Sequence, residues 1–175
     1  EGNGEAPNST AKGETADQIQ KMAELEQKIA ALEQEKQELE LTVNRYEQEK
    51  HWFPTIGNLA LQFVHAHISG DAEALRELLG PEMALEERDG ALYVTYSYEE
   101  QQVEWPVYTE ESGRIYRDML IQGFEYMPED EKYRVHIREF FTDRQQEIIS
   151  PPTFLNLTFQ QIDGEWKIVE ISFDV

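Results

Sequence analysis

From Met22 to Phe53 the apolar positions alternate between three- and four-residue steps, the signature of a heptad repeat. With Met22 as position a, the a positions are Met22, Ile29, Lys36, Val43 and Lys50, and the d positions are Leu25, Leu32, Leu39, Tyr46 and Phe53. Only the two lysines interrupt the apolar seam. No Gly or Pro falls between Lys21 and Lys50, so nothing breaks a helix there. A strict seven-residue repeat drifts around a straight helix and stays on one face only when two helices supercoil. The spacing therefore predicts a coiled-coil helix over residues 18–53, with Met22, Leu25, Ile29, Leu32, Lys36, Leu39, Val43 and Tyr46 as the oligomerisation seam. The plainer alternative is a solvated single helix lying on its own domain.

The flanking charges bear on orientation. Positions e are Glu26, Glu33, Glu40 and Glu47; positions g are Lys21, Lys28, Glu35, Thr42 and Glu49. A parallel pair sets g against e of the next heptad, matching Lys21 with Glu26 and Lys28 with Glu33, at the cost of Glu35 against Glu40. An antiparallel pair would set glutamate against glutamate throughout the e positions. A parallel homodimer is the expectation, with a trimer second, and lysine at two a positions favours a low oligomer number.

Pro54 interrupts the repeat, either kinking the helix or opening a new one at its first turn. Beyond it Ile56, Leu59, Ala60, Phe63, Val64 and His67 recur at helical spacing until Gly70. Asp71 then caps a short helix, "DAEALRELLG", with Ala72, Leu75, Leu78 and Leu79 inward, Gly80 as its stop and one further turn towards Glu87. From Ala91 the period changes to two. The runs "ALYVTYSY", "GRIYRDMLIQGFEYM", "KYRVHIREFFTD", "TFLNLTFQQI" and "EWKIVEISFDV" are rich in aromatic and β-branched residues, and "PEDE" and "DG" between them signal antiparallel hairpins. Helices followed by hairpins predict an α+β domain over residues 54–175, its helices packed on one face of a curved antiparallel sheet.

Composition adds constraints. The net charge of −21, with 15 Lys and Arg scattered along the chain, disfavours nucleic acid and anionic membranes as partners. No cysteine is present, which removes disulfides, thiolate metal sites and a cysteine nucleophile. Residues 1–17 are small and polar, the composition of a disordered tether. An opening on Glu1 fits either an exported protein whose signal peptide has been cleaved or a trimmed fragment; export is the expectation. No apolar run approaches the ~20 residues that span a bilayer.

A helix ending in "HISGD", the short helix "DAEALRELL" and closing strands "TFLNLTFQQIDGEWKIVEISFDV" together resemble the nuclear transport factor 2-like, or ketosteroid-isomerase-like, cone (a cystatin-like arrangement of helices on a curved sheet). The resemblance spans roughly residues 54–175 and includes the run Gly164, Glu165, Trp166, Lys167 and Ile168. Tether and coiled coil in front look like extracytoplasmic, membrane-anchored lipoproteins of Gram-positive bacteria, although the lipidated cysteine of that class is absent here. The resemblance implies a cavity between helix and sheet, walled by Phe63, His67, Tyr96, Phe124, Phe140, Phe159 and Trp166, for a small apolar ligand or a protein. With no metal cluster, phosphate loop or nucleophile triad along the sequence, a non-catalytic binding or assembly protein is the expectation. The alternative is an isomerase- or dehydratase-like enzyme, which needs a buried carboxylate beside a tyrosine in an open cavity; Asp118, Glu139 and several strand tyrosines supply the residue types.

Other candidates weaken on inspection. His65 and His67 lie about 200° apart around a helix and cannot chelate one metal; His67 reads as a satisfied core histidine and His65 as solvent-facing. His136 alternates with Arg134 and Arg138 on the outer face of a strand. The acidic stretches Glu99–Glu100, Glu110–Glu111 and Pro128–Glu131 lack the spacing of a calcium loop and read as solvated surface. No cofactor and no metal is expected.

Overall fold

The computed structural model describes the backbone of residues 9–174 and the side chains of residues 16–174. Two compact units divide the chain, Glu1–Asn44 and Arg45–Val175. The first is helical throughout its described length. Helix α1 runs continuously over Ser9–Ser69, with Pro54 inside it. Of the expected tether, residues 1–8 lie outside the described residues, and Ser9–Asp17 are helical instead. Extending a helix already formed avoids the costly nucleation step, so a weakly helical segment is drawn in. Pro54 neither starts nor stops the helix. It deprives the Lys50 carbonyl of a partner, at roughly 3 kcal/mol, but both residues are exposed, so the freed carbonyl is not buried. The packed turns that follow hold the helix together: Ile56, Ala60, Phe63, Val64 and His67 are buried at the predicted spacing.

Gly70 ends α1 at φ +71°, and Asp71 caps helix α2 (Ala72–Leu78) by accepting from the Ala74 N–H at 3.0 Å. Leu75 and Leu78 face the core. The further helical turn expected towards Glu87 is instead strand β1 (Ala84–Arg88). Local helix propensity loses there to a ladder with strand β2 (Ala91–Tyr98), from Ala84 opposite Thr95 to Arg88 opposite Ala91. Strand β3 (Gln101–Thr109) pairs on the other side of β2 and was not among the predicted runs.

The remaining strands follow the predicted runs: β4 (Ile115–Met127), β5 (Lys132–Thr142), β6 (Thr153–Ile162) and β7 (Glu165–Asp174). All pairings are antiparallel. They form two sheets, ordered β1-β2-β3 and β4-β5-β6-β7, where a single curved sheet was expected. Register shifts at Tyr116/Asp118, Ile121/Gly123 and Thr158/Phe159 bend the larger sheet. One core spans both sheets and the helices, with Phe63, Val94, Tyr133, Val135, Leu155, Leu157, Phe159, Ile168 and Ile171 at its centre. The Tyr96 hydroxyl links the sheets. It donates to the Ile171 carbonyl at 2.5 Å and accepts from the Ile171 N–H at 3.3 Å.

Candidate functional site

His67 reaches the interior because it continues the buried stripe of Ile56, Ala60, Phe63 and Val64 near the end of α1. Its ring stacks on Phe63, centroids 5.4 Å apart. Nδ1 lies 2.9 Å from the Val107 carbonyl oxygen. A carbonyl can only accept, so Nδ1 carries a proton and donates it. The β2–β3 register explains why that carbonyl is available. Tyr93 pairs with Pro106 and Leu92 with Tyr108, leaving Val107 as the extra residue of a bulge on an edge strand. Proline, which cannot donate to a ladder, is tolerated at that edge.

The other ring nitrogen, Nε2, meets Oε1 of Glu139 in a short buried hydrogen bond. Glu139 is fully buried, and its second oxygen, Oε2, has no hydrogen-bond partner among the described residues. A buried carboxylate oxygen left unpaired is costly and calls for an explanation. His67 and Glu139 are among the residues around a cleft of about 610 Å³, within the range that holds small ligands. Its walls are mainly apolar, from Ile68, Trp105, Phe141, Ile149, Pro151 and Phe173, and Trp105 sits edge-on to Phe173 at 5.6 Å. Tyr108 and Tyr116 also line it. Burial pushes the Tyr116 hydroxyl above the ordinary value of 10.0, and the charges of Asp118 and Glu139 add to the effect.

Of the wall residues expected from sequence, His67 lines this cleft. Phe63, Tyr96 and Phe159 are core residues with no more than 6% exposure. Phe124 packs on Phe53 and Tyr133, at 5.1 and 5.2 Å. Trp166 borders a separate groove with Trp52, Gln62 and Leu78. Phe140 falls on the face of β5 opposite the core, in line with Arg134, His136 and Arg138. Its neighbour Phe141 lines the cleft instead, because it continues the inward register of Tyr133, Val135, Ile137 and Glu139. Glu139, the residue that gives the cleft its chemistry, was noted in the sequence only as a carboxylate within a strand. The usable signal is its parity: it shares an inward register with Tyr133, Val135 and Ile137.

His65 is exposed, and among the described residues no three His, Asp or Glu side chains gather as a metal site. No helix is long and apolar enough to cross a membrane. On the helix, the seam residues are bare in the single chain. Met22, Leu25, Ile29, Leu32, Leu39, Val43 and Tyr46 are each between 53% and 61% exposed, and Lys36 reaches Glu40 at 3.6 Å along the same helix. Comparison with family models, with curated proteins and with solved structures finds no match to this chain.

Proposed function

We propose that this chain is a non-catalytic binding and assembly protein of the cell envelope, which self-associates through α1 and carries a ligand cleft in an α+β unit of the nuclear transport factor 2-like type. The observation that carries the reading is the exposed heptad seam from Met22 to Tyr46. Large apolar side chains repeated at coiled-coil spacing and left in water favour burial against a second copy. Charge supports a parallel partner, since Lys21 and Lys28 then meet Glu26 and Glu33 while the e positions, all glutamate, avoid one another. Pairing places two clefts on one molecule and raises avidity without new contacts. Placement outside the cytoplasm belongs to the same reading and rests on the resemblance of the N-terminal segment and coiled coil to envelope lipoproteins.

Light scattering after size exclusion tests the assembly. The expected mass is that of a dimer, falling to a monomer in the double variant L25E/L32E, whose positions lie outside the core and leave the Arg45–Val175 unit intact. A monomeric wild-type chain would sink the reading. A second reading, an isomerase- or dehydratase-like enzyme, is favoured by one specific cluster: a buried Glu139 oriented by His67, with Tyr116 on the wall of the same open cleft. In that reading Glu139 is the base and Tyr116 the hydrogen-bond donor.

A further inference from the structure

One guanidinium is held in place on the wall of the cleft. Arg114 is exposed. It lies 4.5 Å over the Phe141 ring and donates through Nη2 to the Thr153 hydroxyl at 2.9 Å, and all three residues line the cleft. A guanidinium carries five N–H donors in a planar fork, so one bond to a neutral hydroxyl leaves most of the donors and the whole positive charge unanswered. The chain holds 36 Asp and Glu against 15 Lys and Arg, yet no carboxylate among the described residues comes within 4.0 Å of Arg114. The two acids that border the cleft are engaged elsewhere. Glu139 shares a proton with His67: Nδ1 donates to Val107, and the short Nε2 to Oε1 contact holds one proton between two atoms that would otherwise repel, so the pair carries no net charge. Asp174 accepts from Asn156 at 2.9 Å, and Asn156 alternates outward between the buried Leu155 and Leu157.

We propose that the cleft binds a small monocarboxylate with an apolar body, its carboxylate paired with the exposed fork of Arg114 and its body packed among Trp105, Phe141 and Phe173. This deepens the ligand-binding part of the reading above and depends on it. The guanidinium is reachable from solvent. Its stacking on Phe141 and its bond to Thr153 already restrict the side chain, so less freedom is lost when a carboxylate docks on the fork. One unanswered positive charge matches one negative charge. A dianionic phosphate would bring a second charge that nothing else on the cleft wall neutralises, into a chain already at −21. The mainly apolar walls add burial that a small inorganic anion cannot use.

Isothermal titration calorimetry of the full chain with octanoate, 1-octanol and octylammonium separates charge from apolar burial, because the three probes share one hydrocarbon chain. Octanoate should bind the wild-type protein about tenfold more tightly than octanol, the effect of one charge-assisted pair, and octylammonium should bind more weakly than either. Arg114→Gln, at an exposed position, should lower octanoate to the affinity of octanol and leave octanol unchanged. Arg114→Glu should invert the order of the two ions. Arg76→Gln removes an exposed arginine of α2 that does not line the cleft, and should change none of the three affinities. A preference for octanoate that survives Arg114→Gln, or that Arg76→Gln abolishes as well, would overturn the proposal. Equal affinity of wild type for octanoate and octanol overturns it while leaving an apolar binding cleft; binding of none of the probes overturns it together with the cleft. Light scattering on the same samples reports self-association separately, so failure of the carboxylate site is not confused with failure of the assembly.

Discussion

A carboxylate and an imidazole buried together stabilise each other, and neither is tolerated there alone. Replacing His67 by leucine leaves the Glu139 carboxylate without the hydrogen-bond partner it has among the described residues, in a low-dielectric interior, so urea denaturation should show a loss of roughly 3–5 kcal/mol. The double variant H67L/E139L removes both polar groups and should recover most of that loss; a double variant as unstable as H67L would refute the coupling. Tyr133 presents the opposite case. Its hydroxyl is buried without a partner, so Tyr133→Phe should be neutral or stabilising at pH 7. Burial pushes the Tyr133, Tyr96 and Tyr116 hydroxyls above their ordinary 10.0. The sign follows from the proton balance. Below pH 10 both states are protonated and these groups leave stability unchanged; above it the unfolded chain releases its protons first, and stability falls as pH rises. Tyr133→Phe should flatten that alkaline decline in denaturation midpoints measured from pH 9 upwards, and an unchanged slope would count against the shift. At this scale the sequence was half legible. His67 stood out by its place on an apolar helical stripe, but its partner lies 72 residues away, and only the folded β5 register brings the two together.

Elements were read well where periodicity was long and poorly where a ladder overrode local preference. The buried stripe of α1 and strands β2 and β4 to β7 follow patterns visible in the sequence. Residues 84–88, "ALEER", have helix-forming side chains and became β1 because β2 offered a hydrogen-bonded edge. β3 carries Pro106 and alternates weakly, as an edge strand can. Its bulge at Val107 is invisible to pattern reading, yet it supplies the carbonyl that orients His67. The junction between α1 and α2 gives a test at this scale. Gly70 combines a positive φ with a close approach: a Cβ there would stand 2.7 Å from the Tyr108 ring. Gly70→Ala should lower stability by about 1–2 kcal/mol from the left-handed conformation alone, with a further loss as Tyr108 gives way. Tyr108 lines the cleft, so the same substitution reshapes that wall. An unaltered urea midpoint would show that neither the turn nor the ring is constrained.

Association of whole chains sets seam burial against repulsion between molecules of charge −21 each. Salt therefore works in favour of the dimer, since screening shortens repulsion to about 10 Å at 0.1 M ionic strength while leaving apolar burial intact. Orientation can be read directly because the sequence contains no cysteine, so a single introduced thiol reports on one contact. In a parallel, in-register pair each d residue faces its own copy, and Leu25→Cys and Leu39→Cys should each form a cross-linked dimer on mild oxidation. An antiparallel pair centred on Leu32 would bring Leu25 of one chain to Leu39 of the other. Neither variant would then cross-link alone, but an equal mixture would. The glutamates at 26, 33, 40 and 47 predict the first outcome, because the second lines them up against one another. Self-linking of both variants, with no gain on mixing, fixes the parallel arrangement; cross-links that appear only in the mixture reverse it, and with it the charge argument that selects a second copy as the partner of this helix.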